Sequence, residues 1–81
     1  MQMQTESVAS RLQAVLNASS YIRSYRLAVL ETSDELIIRG RVNSFYHKQM
    51  AQEEAINFTK DLATEGVTLV IKNEIVVNGR K

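Results

Sequence analysis

The sequence predicts an α+β fold: a two-layer αββαβ sandwich, with a mixed three-stranded sheet carrying two helices on one face. Three observations predict it. The spacing of apolar residues switches along the chain between a helical period and a strand period of two. A short polar break, Thr32–Asp34, separates two runs of strand period, as in a hairpin. A third such run follows a long helical stretch, and strand–helix–strand units are right-handed crossovers between parallel strands. At 81 residues the chain makes one domain. A domain this small hides roughly 60–65% of its unfolded surface, so the core is thin and a deep cleft is not expected.

Met1–Glu6 is a polar start expected to fray, and a helix follows over Ser7–Ser19, capped by Ser7 or Thr5. Val8, Leu12, Val15 and Leu16 form its apolar stripe, while Arg11, Gln13 and Asn17 fall elsewhere on the wheel. Tyr21–Glu31 reads as a strand, with Tyr25, Leu27 and Val29 alternating against Arg26, Ala28 and Leu30. Glu35–Val42 is the return strand. It places Leu36, Ile38, Gly40 and Val42 on one face and Ile37, Arg39 and Arg41 on the other. A glycine on the apolar face implies a close approach there, and a helix backbone is the expected neighbour.

Ser44 caps a second helix running to Ala63 or Thr64, with Ala51, Ala55, Phe58 and Leu62 on its buried stripe. The two alanines let this helix sit close to the sheet. Gly66 stands where a C-terminal cap belongs. Val67–Val77 is the third strand. Val67, Leu69, Ile71, Asn73, Ile75 and Val77 share one side, and Thr68, Val70, Lys72, Glu74 and Val76 share the other. The domain spans 7–78, with Gly79–Lys81 as a tail.

Composition excludes several classes. There is no cysteine, so neither disulfides nor thiol chemistry are available, and a single histidine is a poor basis for a zinc site. Lys+Arg 10 against Asp+Glu 9 lacks the basic excess of a dedicated nucleic-acid binder. No basic segment leads into an apolar run at the N-terminus, and no stretch is apolar enough to span a bilayer. The chain is therefore expected in the cytoplasm as encoded, or in the periplasm and cell envelope if a leader has been removed.

The order of residues from Leu36 to Val77 resembles a family pattern. Leu36, Ile38, Gly40 and Val42 are followed by Ser44, then Lys48, Ala51 and Ala55, then Gly66-Val67, and finally Asn73, Ile75 and Val77. This is similar to the BON domain, named for bacterial osmotic-stress and nodulation proteins. The match covers about half the chain at motif level, and the αββαβ order extends it to nearly all. Two departures stand out: the Phe58–Asn73 segment is longer than usual, and many BON proteins carry a leader and a second domain. The resemblance implies a non-enzymatic module that contacts phospholipid or membrane surfaces, or a protein partner. The family has no catalytic residues to carry over, and no cofactor is expected.

Two surfaces are candidates for such contacts. Arg26, Arg39, Arg41 and Lys72 project from the sheet face away from the helices, together with Ile37, Ala28, Leu30, Val70 and Val76. Mixed basic and apolar surface suits anionic phospholipid, a protein partner or a homodimer. The plainer reading is that the arginines keep a bare sheet soluble. In the second helix, Tyr46 and Met50 fall almost opposite the Ala51/Ala55 stripe, beside His47 and Lys48; they read as a contact for a membrane interface or a partner or, the favoured reading, as packed under the first helix or a terminus. His47 alone reads as a solvated side chain, and enzymatic activity is not expected because nucleophile, base and pocket are all missing. Nucleic acid is a weaker alternative, since no Gly-x-x-Gly clamp and no aromatic row on the sheet is present. Gly40, Ser44, Gly66 and Asn73 are read as structural.

Overall fold

The structure, a computed structural model, describes residues 7–78. The expectations for Met1–Glu6, Thr5 included, and for Gly79–Lys81 lie outside the described residues. The order is α1 (Val8–Ala18), a 3-10 turn (Arg23–Tyr25), β1 (Ala28–Glu31), β2 (Glu35–Val42), α2 (Phe45–Thr64) and β3 (Val70–Val77). The sheet runs β1-β2-β3, with β1 antiparallel and β3 parallel to the central β2. This is the α+β class with the mixed three-stranded sheet that the periodicity predicts. Leu12 and Leu16 from α1, Ala51, Ala55 and Leu62 from α2, and the inward row of β2 share one core.

Both helices begin at a serine. Ser7 Oγ accepts the Ser10 N–H at 3.0 Å, and Ser44 Oγ accepts the His47 N–H at 3.4 Å. Caps of this kind are each worth about 1 kcal/mol. Gly66 ends α2 at φ +83°, where its own N–H donates to Ala63 O at 3.1 Å and the Val67 N–H donates to Leu62 O at 3.0 Å. That paired closure is a Schellman motif. It occupies Val67, so the third strand starts at Val70 rather than at Val67.

The first strand is also shorter than its pattern. Of the expected Tyr21–Glu31, only Ala28–Glu31 pairs with β2. Ile22, fully buried, and Tyr25, half-buried against the core, both face inward although they are three residues apart. A 3-10 turn aligns positions three apart, whereas a strand would set them on opposite faces. Arg26 then takes the left-handed conformation, φ 54° and ψ 51°, which turns the chain into β1.

Gly40 meets a different neighbour from the one expected. A Cβ built there would lie 2.6 Å from Leu27 Cδ2, and the residue holds φ +148°. The close approach is by a side chain at the entry to β1, not by a helix backbone.

The outer edge of β1 is closed by α1. Gln13 Nε2 donates to Leu27 O, and the Val29 N–H donates to Gln13 Oε1 at 3.1 Å. One side-chain amide thus makes the two bonds that a neighbouring strand would make. Further along, Glu31 Oε1 accepts the Ala9 N–H at 3.0 Å.

Candidate interaction surface

Alternation along β2 drives Leu36, Ile38 and Val42 into the core and leaves Ile37, Arg39 and Arg41 on the opposite, helix-free face. Pairing extends these positions into rows across the sheet: Leu30–Ile37–Lys72, Ala28–Arg39–Glu74 and Arg41–Val76, with Glu35 beside Val70 at the hairpin end. Leu30, Val70 and Val76 stay 43%, 61% and 51% exposed, and Ile37 is half-buried between its neighbours. The face is therefore an open apolar field crossed by charges.

Glu74 decides the electrostatics of that field. Its Oε1 accepts the Arg39 Nε–H at 2.9 Å, and its Oε2 lies 3.5 Å from Lys72 Nζ. The hydrogen bond from Arg39 is the largest influence on its carboxyl. With the positive charge of Arg39 and the contacts to Lys72, it outweighs partial desolvation and holds the carboxyl below its ordinary 4.5. Exposed pairs add little stability, but they cancel field. Two of the basic residues read as a patch thus share one carboxylate within the chain, which offsets one of their two positive charges. Arg41 makes no ion pair among the described residues.

Arg26 leaves the sheet face altogether. It lies before β1, where it lines a shallow open groove of about 520 Å³ with Gln13, Asn17, Arg23, Leu27 and Ala28. A sequence reading that ran the strand back to Tyr21 placed it one row too far into the sheet.

The second candidate pair is split by α2. Met50 packs against the core, whereas Tyr46 stays exposed, next to Phe45 at 65% exposure. The Tyr46 ring meets Tyr21 edge-on with centroids 6.4 Å apart and His47 at 5.4 Å, and Tyr25 lies 5.1 Å from His47. His47 is half-buried inside this group rather than solvated. Its Nδ1 sits 2.7 Å from Ser44 Oγ and 3.3 Å from Tyr25 OH. The cluster fastens the 3-10 turn to the first turn of α2. Tyr21 and Phe45 were legible as aromatics, but only the turn brings Tyr21 to Tyr46.

Gly40, Ser44 and Gly66 occupy the close approach and the two helix ends described above. Asn73 does more: its Nδ2 donates to Lys48 O at 3.3 Å and to Gln52 Oε1 at 3.2 Å, while its Oδ1 accepts the Ile75 N–H at 3.1 Å. It ties β3 to α2 and covers one amide on the strand's outer edge. Among the described residues no group of three or more His, Cys, Asp or Glu side chains is placed to hold a metal ion, and no helix is long and apolar enough to cross a membrane.

Comparison with protein-family models, with curated proteins and with solved structures finds no match to this chain.

Proposed function

We propose that the chain is a non-enzymatic, BON-like binding module. Its working surface is the outer face of the sheet, and its occupant is the same face of a second copy. The observation that carries this is Glu74, held between Arg39 and Lys72 amid Leu30, Ile37, Val70 and Val76. A basic face seeks phosphate, on lipid or on nucleic acid. A face that carries its own counter-ion asks instead for a partner that is apolar and near-neutral, and this face is itself such a surface. Glu35 and Arg41 stand at opposite ends of the outer row of β2. A two-fold contact with the β2 strands antiparallel sets each Arg41 against the partner's Glu35.

Ile37→Lys places a charge at the centre of that contact. Sedimentation equilibrium is expected to show the variant at half the mass of the native chain, with the native mass insensitive to salt. An unchanged mass in Ile37→Lys overturns the reading. So does a native chain that stays monomeric and instead co-sediments with anionic vesicles in low salt, since binding driven by phosphate weakens as salt rises.

A further inference from the structure

The two edges of the sheet are treated differently. The β1 edge is plugged by the Gln13 amide, and the Glu31 side chain ties the end of the strand to the start of α1. Among the described residues the β3 edge is covered at one amide only, by Asn73. It belongs to a strand of eight residues, VIKNEIVV, without proline. A long open edge of this kind is a template for pairing unless something blocks it. The direction of its amides follows from two bonds. The Val70 N–H donates to Asp34 O at 3.0 Å and the Asn78 N–H to Val42 O at 2.7 Å. Even-numbered amides of β3 therefore point at β2, and those of Ile71, Asn73, Ile75 and Val77 point outward.

We propose that β3 pairs with β3 of a second copy, antiparallel about a two-fold axis at Asn73, to make one continuous six-stranded sheet. This contact uses an edge, not the outer face, and does not depend on the face-to-face reading above. The sequence of the strand selects both the partner and the register. Val70-Ile71-Lys72-Asn73-Glu74-Ile75-Val76 is a palindrome in apolar character around Asn73, with opposite charges at the two positions flanking it. Paired on that axis, Lys72 meets the partner's Glu74, Ile71 meets the partner's Ile75, and Val70 meets the partner's Val76.

Only this register satisfies both backbone and charge. A slip of one residue sets outward-pointing amides against inward-pointing ones. A slip of two in one direction sets lysine on lysine, and in the other direction glutamate on glutamate; like charges directly opposite are destabilising. Pairing exchanges the bond from the Ile75 N–H to Asn73 Oδ1 for one to the partner's Ile71 carbonyl. The Asn73 amide nitrogen keeps Lys48 O and Gln52 Oε1.

The chain contains no cysteine, so register can be read by cross-linking. Positions 72 and 74 of opposite copies form a pair that shares no backbone bonds, with Cα atoms about 4.5 Å apart, a separation a disulfide accepts. Lys72→Cys and Glu74→Cys chains are each mildly oxidised alone and as a 1:1 mixture, with circular dichroism confirming the fold. The mixture is expected to form covalent dimer about tenfold faster than either variant alone, because only the mixed dimer sets one cysteine opposite the other and keeps one Lys–Glu pair. Equal cross-linking in all three samples, or none in the mixture, overturns the proposal. Neither outcome bears on the Ile37→Lys test, which reads the outer face by mass.

Discussion

At Gly40 the backbone angle and the space both exclude a side chain: φ is +148° and Leu27 Cδ2 stands 2.6 Å from where a Cβ would sit. Gly40→Ala is expected to lower stability by about 2–4 kcal/mol, from backbone strain and overpacking together. A denaturant midpoint equal to that of the native chain would contradict this account. The position was legible as a glycine needing a reason. The reason was not legible, because Leu27 reaches Gly40 only once the turn before β1 has formed. Glu74 makes a second residue-scale case. Alternation alone put it on the outer face with Lys72, but its bond to Arg39 depends on the parallel register that sets residues 39 and 74 side by side. Its folded-state pKa lies below its ordinary 4.5, so the stability it contributes is present in full above that value and is lost as pH falls through the lower folded value. The stability difference between the native chain and Glu74→Gln is expected to favour the native chain at neutral pH and to vanish on acidification. A difference that stays constant with pH would contradict it.

At the scale of elements, a short β1 is completed by α1. Gln13→Ala removes both bonds made to Leu27 O and Val29 N. It is expected to cost about 1–2 kcal/mol and to speed hydrogen exchange at the Val29 amide. An unchanged exchange rate there would show that the edge is closed by something else. Helical spacing found α1, α2 and their buried stripes, and period-two alternation found β2 with both faces in register. It failed before β1 because Ile22 and Tyr25 report a period of three over too few residues to stand out. The role of Gln13 lay beyond any pattern, since the wheel says only that it leaves the apolar stripe, not which strand edge it meets. At α2 the wheel put Met50 opposite the alanine stripe, yet the long flexible side chain still reaches the core.

For the whole molecule, sheet order and helix placement follow from the order of elements and the handedness of the β2–α2–β3 crossover. That order leaves one sheet face bare and puts β3 at an edge. The composition of the face was legible. Its charge balance was not, since four basic residues on the outer side become three once Arg26 leaves, and Glu74 pairs with two of those and offsets one charge. With both proposed contacts in place, edge pairing joins two chains in one sheet, and two such sheets stack through their apolar faces. The outer face is the central claim, and the most direct test measures how open its methyl groups are to a soluble paramagnetic probe, over a dilution series of the native chain. The methyls of Leu30, Ile37, Val70 and Val76 are expected to be shielded when concentrated and to become accessible together on dilution. If they broaden equally at every concentration, nothing covers the face and the account is contradicted.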